Sequence, residues 1–223
     1  MSIRENVIKF QNEIPKDVTL LAVSKTRPLE ELEEAYKCNI RDFGENKVQE
    51  LTYKFDNFHK DVRWHLIGHL QTNKVKYIVG KVYLIHSLDS IKLLKEIERR
   101  YSTANEIANV LIQINIGRDS NKSGILLENL QELIYECEKC KNVKVKGLMT
   151  VIPKGNSDTN REYFIEMKKV YDFLSNKLYN NVKMEFLSMG MTGDYKEALE
   201  EGANIVRIGE GIFGKRVYNI KEG

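Results

Sequence analysis

Cysteine, proline and tryptophan are scarce in this chain, and its opposite charges nearly cancel. Three cysteines, Cys38, Cys137 and Cys140, stand among 223 residues, an odd number that excludes a fully paired disulfide framework. Cys137 and Cys140 form a C-x-x-C, but a structural zinc site takes four ligands and no second pair with suitable spacing follows. The stretch Leu130-Gln-Glu-Leu-Ile-Tyr-Glu-Cys-Glu-Lys-Cys therefore reads as the end of a surface helix. The net charge of +3, from 35 basic and 32 acidic residues, lacks the basic excess of a dedicated nucleic-acid binder. No apolar run approaches the roughly 20 residues of a membrane span. The N-terminus, Met1-Ser-Ile-Arg-Glu-Asn, lacks the apolar stretch of a signal peptide and reads as the start of an amphipathic helix. These absences predict a cytoplasmic protein with neither nucleic acid nor membrane as partner. The three prolines fall outside every predicted strand, and no low-complexity tract or linker divides the chain, so residues 1–223 are expected to form a single domain.

Against these absences stands a hydrophobic fraction of 42%, arranged in short apolar runs that alternate with longer amphipathic ones. Eight runs read as strands: Thr19 to Ser24, Ile40 to Gly44, Val62 to Ile67, Val82 to His86, Val110 to Asn115, Val143 to Met149, Met184 to Ser188 and Ile205 to Ile208. Brief runs rich in Val, Ile and Leu suit parallel strands buried on both faces. Between them, Pro28-Leu-Glu-Glu-Leu-Glu-Glu-Ala-Tyr opens like a helix, with proline in the first turn and acids behind it. Ser90 to Arg100 follows Asp89 as a plausible N-cap, and Glu162 to Leu178 is long and amphipathic. Residues 153–160 are the best candidate for a mobile loop. The pattern predicts an α/β fold, a single (β/α)8 TIM-type barrel with an extra N-terminal helix at residues 3–13. A doubly wound sheet is the alternative, but it calls for a Gly-rich turn after the first strand, and Ser24-Lys25-Thr26 has no glycine.

A barrel builds its site from the C-terminal ends of its strands. Here those ends carry Lys25, Glu45, Asn46, His65, Gly68, Ser87, Asn115, Thr150, Ser188, Met189, Arg207 and Gly209. Lys25 directly follows Leu20-Leu-Ala-Val-Ser. Burial disfavours an ammonium and leaves a neutral amine that attacks carbonyl carbon. A lysine snorkelling past the strand end would fit the same position. Leu187-Ser-Met-Gly-Met-Thr-Gly-Asp194 and Ile208-Gly-Glu-Gly-Ile-Phe-Gly214 are loops of small residues that lead into helices, where backbone N–H groups bind phosphate. Tight-turn geometry alone would also explain them. Gly209, Gly211 and Gly214 match the dinucleotide fingerprint, but the nine residues after Gly214 are too few for the βαβ unit that motif needs. Arg207 lies within an apolar strand and needs either a core carboxylate or a ligand acceptor. His65 fits a ligand contact or, preferably, a polar network.

A lysine for an aldehyde, a cradle for a phosphate and an arginine for a pyridine nitrogen form one set. With the stretches Leu21-Ala-Val-Ser-Lys-Thr, Phe43-Gly-Glu-Asn, Trp64-His-Leu-Ile-Gly, Leu70-Gln-Thr-Asn-Lys, Ile85-His-Ser-Leu-Asp, Gln113-Ile-Asn-Ile, Lys122-Ser-Gly, Gly147-Leu-Met-Thr, Leu187-Ser-Met-Gly-Met, Val206-Arg-Ile-Gly and Ile212-Phe-Gly, the chain resembles the pyridoxal phosphate (PLP) homeostasis family. That family's barrel is similar to the N-terminal domain of alanine racemase. The resemblance implies PLP as cofactor, held as an aldimine on Lys25. It places Arg207 at the pyridine nitrogen, Asn46 beside the ring, and Ser188, Met189 and Gly209 at the phosphate. The chain departs from the family at Glu210, where Thr or Ser is usual, and at Arg27, where a second lysine is common. Glu210 is expected to offer its backbone N–H and turn its carboxylate away. The implied role is PLP carriage or buffering without robust catalysis, in a monomer, with apo PLP enzymes as candidate acceptors. An amino-acid racemase and a Schiff-base aldolase of a phosphorylated sugar are the alternatives. A racemase needs a second base, which the related racemases take from a further domain that is not expected here.

Overall fold

The computed structural model describes residues 1–215, and in it eight strands close a barrel in chain order. They are β1 (Thr19–Val23), β2 (Asp42–Glu45), β3 (Arg63–Leu66), β4 (Leu84–Leu88), β5 (Ala108–Ile114), β6 (Val143–Thr150), β7 (Val182–Met191) and β8 (Ile205–Ile208). Every neighbouring pair is parallel, and β8 pairs with β1 to complete the ring. The helices are α1 (Ile3–Glu13), α2 (Leu29–Lys37), α3 (Val48–Asn57), α4 (Ile91–Ala104), α5 (Leu130–Glu138), α6 (Ser157–Ser175), α7 (Tyr195–Glu200) and α8 (Glu210–Phe213). This is the expected (β/α)8 barrel. A 3-10 turn at Thr72–Tyr77 stands where a helix would join β3 to β4, and another at Leu127–Asn129 leads into α5. Residues 216–223, the last part of the expected 1–223 domain, lie outside the described residues. Among the described residues no helix is long and apolar enough to cross a membrane.

The extra helix α1 starts at Ser2, whose hydroxyl accepts from the Glu5 N–H while the Glu5 carboxylate accepts from the Ser2 N–H. That reciprocal pair satisfies two donors that a helix start would otherwise leave open. Three local expectations are corrected. The N-cap of α4 is Ser90, not Asp89, because the Ser90 hydroxyl reaches the Leu93 N–H. Residues 157–160, expected in a mobile loop, form the first turn of α6, capped by Asn156 Oδ1 on the Thr159 N–H. β2 starts at Asp42 and not at Ile40, because Asn39 is left-handed (φ 65°) and the Ile40 N–H turns back to the Ala35 carbonyl.

The core has two parts. Between barrel and helices, apolar faces such as Val7, Phe10, Leu32, Leu51, Trp64, Leu94, Leu133 and Phe164 are buried. Inside the barrel, Leu21, Leu84, Leu111, Met149 and Ile205 form a separate apolar cluster. Each such side chain contributes about 1.5–3 kcal/mol on burial. The rest of the lumen is polar: His65, His86, Ser188 and Arg207 are all buried there. Gly147 sits at φ 146° against β7, where a Cβ would stand 1.8 Å from the Phe186 carbonyl oxygen, so only glycine lets these strands approach.

Candidate functional site

Lys25 leaves β1 at its C-terminal end and is half-buried. Its neighbours in the chain are held from behind. Lys54, on α3 and only 3% exposed, donates to the Ser24 carbonyl, to Glu45 Oε1 and to Glu50 Oε1, each at 2.8 Å. The Ser24 hydroxyl donates to the same Glu45 oxygen at 2.5 Å, and Glu50 Oε1 accepts the Thr26 N–H at 2.6 Å. Thr26 is left-handed (φ 65°), a conformation that costs a β-branched residue about 1–3 kcal/mol unless its surroundings enforce it. The buried charges therefore fix the backbone on both sides of Lys25. Burial pushes the Glu45 carboxyl up to about 7, against the opposing pull of Lys54 and Ser24. Its second oxygen is buried without a hydrogen-bond partner among the described residues.

Arg207 points into the lumen from β8 and is 4% exposed. One Nη donates to the Ser188 hydroxyl at 2.7 Å and the other to the Thr150 carbonyl at 2.7 Å. Both acceptors are neutral. Burial pulls the guanidinium down to about 10, so it stays charged at neutral pH.

Lys25 and Arg207 share the wall of one cavity of about 800 Å³ at the C-terminal ends of the strands. Val23, Ile67 and Val151 give it an apolar side, and Asn46 stands at its edge. The lining also takes in Met191 at the end of β7, Thr192 and Gly193 after it, and Gly209, Glu210 and Gly214 around α8. The two loops are tied together: the Thr192 hydroxyl accepts the Gly211 N–H at 3.2 Å. Arg27 completes the rim by donating to the Gly214 carbonyl at 2.5 Å. Lys25, Arg27, Lys154, Arg207 and Lys215 place five basic residues on this wall, against the single carboxylate of Glu210. Amine, backbone donors and guanidinium around an apolar slot suit a flat, anionic, carbonyl-bearing ligand. The donor set fits a phosphorylated aromatic aldehyde.

Residues 1–217 match the family described as alanine racemase, N-terminal domain. A pyridoxal phosphate homeostasis protein of Aquifex aeolicus is 46% identical over 201 residues, covering 89% of this chain and 87% of that protein. The chain belongs to the pyridoxal phosphate homeostasis proteins, in the alanine racemase N-terminal domain family. A relative of the same name from Synechocystis is 37% identical over 207 residues, covering 92% of this chain and 94% of its own. Among solved structures, PipY of Synechococcus elongatus with PLP bound superposes with a TM-score of 0.89 at 30% identity, over 96% of this chain and 100% of that one.

This member of the pyridoxal phosphate homeostasis proteins gathers Lys25, Asn46, Arg207, Gly209 and Glu210 on the cavity wall, but neither Ser188 nor Met189. Ser188 is fully buried, and its hydroxyl is engaged with Arg207 and His86 inside the barrel. The resemblance implies this hydroxyl at a phosphate, whereas here it is engaged inside the barrel and off the cavity wall. Met189 is likewise fully buried. The physical reason is the length of β7, which runs on to Met191 and so moves its loop to Thr192 and Gly193. Those two residues lie within the small-residue loop read as a phosphate site, but the sequence did not single them out from Ser188 and Met189. Glu210 is exposed at the start of α8, where the expected backbone role is open to it. His65, expected at the barrel mouth, lies in the lumen and bonds to His86 and Asp42, so the network reading is the one its contacts match. Lys54 had no signal, because one charge on an amphipathic helix looks like a solvated face. Cys137 is buried in the core and Cys140 donates weakly to the Glu136 carbonyl at 3.6 Å. Burial pushes both thiols up, Cys140 to about 12, which suits inert cysteines.

Proposed function

We propose that this chain binds PLP in the cavity between Lys25 and Arg207 and serves to hold and release that cofactor, without robust catalysis of its own. The observation that carries this reading is the convergence of Lys25, Arg207 and both small-residue loops on one cavity, in a chain 30% identical to a protein solved with PLP bound. When bound, PLP supplies an aldehyde that condenses with amines and a ring that withdraws electrons. Lys25 is the Schiff-base lysine. Its amine is steered by a backbone that Lys54, Glu45 and Glu50 keep rigid. Backbone N–H groups of Thr192, Gly193, Gly209 and Glu210 take the phosphate in place of the Ser188 hydroxyl. Val23, Ile67 and Val151 cover the ring and limit water. Arg207, charged and restricted to donating, leaves a pyridine nitrogen unprotonated and so weakens the ring as an electron sink. That tuning favours storage over carbanion chemistry. In this reading the protein works in the cytoplasm as a monomeric barrel domain and passes PLP to amines or to apo PLP enzymes.

The test is the visible absorption spectrum of the purified protein, before and after borohydride, beside Lys25→Ala. A band in wild type that borohydride abolishes, and that the variant lacks, supports PLP on Lys25. No band after incubation with PLP would sink the assignment and favour an aldolase acting on a phosphorylated sugar.

A further inference from the structure

Beneath Arg207 a line of buried polar side chains crosses the lumen to the opposite end of the barrel. Arg207 Nη1 reaches Ser188 Oγ at 2.7 Å, and Ser188 Oγ lies 3.1 Å from His86 Nδ1. His86 Nε2 lies 2.9 Å from His65 Nδ1, and His65 Nε2 lies 3.0 Å from Asp42 Oδ1. Asp42 and Arg63 open β2 and β3, at the N-terminal rim. There Arg63 grips the Asp42 carboxylate with two N–H groups at 2.7 and 2.5 Å, its own side chain half-exposed. The four residues between the arginines are each less than 8% exposed.

The two ends determine every proton between them. An arginine only donates, and an ionised carboxylate only accepts. Burial works against ionisation of Asp42, but the hydrogen bonds from Arg63 and His65 outweigh it and hold the carboxyl below its ordinary value. Burial keeps both imidazoles neutral, and for His86 the positive charge of Arg207 adds to it. His65 must then carry its proton on Nε2 to meet Asp42, which leaves Nδ1 to accept from His86 Nε2–H. His86 Nδ1 in turn accepts the Ser188 O–H, and Ser188 offers a lone pair to Arg207. The reverse order would set a bare His65 nitrogen against a carboxylate oxygen at 3.0 Å. Bonds aligned in one direction polarise one another.

We infer that Asp42, His65, His86 and Ser188 form a single oriented relay that positions Arg207 from the far end of the barrel and presents its remaining N–H groups to the cavity. The four are positioning residues, since they act on the ligand only through Arg207. The inference rests on PLP as the cavity's ligand, but its first test does not involve PLP. In histidine-15N-labelled protein without PLP, long-range 1H–15N spectra should show both rings neutral with the proton on Nε2. A proton on Nδ1, or an imidazolium, in either ring at neutral pH overturns the relay. In Asp42→Asn, the His86 ring signals should shift although, of the two rings, Asp42 touches only that of His65, and PLP should bind about tenfold more weakly, the worth of one hydrogen bond to a charged group. A variant that perturbs His65 alone and binds PLP like wild type would overturn the positioning role. Should Asp42→Asn fail to fold, the wild-type ring protons still decide. Failure of wild type to bind PLP would remove the cofactor reading and leave the proton order standing.

Discussion

Lys54 and Arg207 are both cations buried in the barrel, 3% and 4% exposed, yet their surroundings differ in kind. Lys54 touches two carboxylates and a carbonyl, which takes up all three of its N–H groups. Arg207 touches a hydroxyl and a carbonyl, and its nearest carboxylate along hydrogen bonds is Asp42, three side chains away. A cation neutralised on contact has nothing left to offer a ligand, and it serves as a brace. A cation balanced at a distance keeps both its charge and several donors. The brace holds the backbone beside Lys25, and the poised cation lines the same cavity as that lysine.

The largest effect expected from this contrast is on Lys54. Lys54→Met strips Glu45 and Glu50 of their common partner inside the protein and should destabilise it by about 3–5 kcal/mol in denaturant unfolding. Arg207→Met breaks no direct hydrogen bond to a carboxylate, removing only the charge that Asp194 feels at a distance, and should cost about 1–2 kcal/mol in the same assay. Its main effect should fall on PLP affinity, by dialysis. Equal losses of stability in the two variants would remove the distinction between brace and poised cation. The smallest effect sharpens the account of Glu45. An acid raised to about 7 favours the fold while protonated, so its contribution is complete below the ordinary value of 4.5 and is lost as pH rises through 7. Because glutamine does not titrate, the stability of wild type relative to Glu45→Gln should fall between pH 4.5 and 7 and level off above. A flat difference would mean that Glu45 is ionised throughout.

Much of the barrel was legible because buried parallel strands are short apolar runs, and all eight were found with errors of one or two residues at most ends. The cavity was legible where chemistry sits at a strand end, as with Lys25, Asn46, Arg207 and Gly209. It was not legible where side-chain direction decides. Ser188 looks like a loop donor, but β7 continues past it with a register shift against β8 between Ser188 and Met191, and Gly190 at φ 90° carries the chain around. No periodicity announces such a shift. The histidine pair had a weak signal, since His65 and His86 lie on adjacent strands, but a lone histidine in an apolar run carries no mark of what it faces.

Lys25 follows the first strand and Arg207 lies on the last, and the bond from Arg27 to the Gly214 carbonyl crosses the seam where the two meet. The pocket is therefore a property of ring closure. During synthesis the lysine emerges among the first residues, while the arginine and the second loop come more than 180 residues later. Until the last strand docks, the chain carries Lys25 without the Arg207 side of the cavity wall. Capture of the ligand is thus confined to the finished barrel, and a chain stalled short of β8 would carry the lysine without the site.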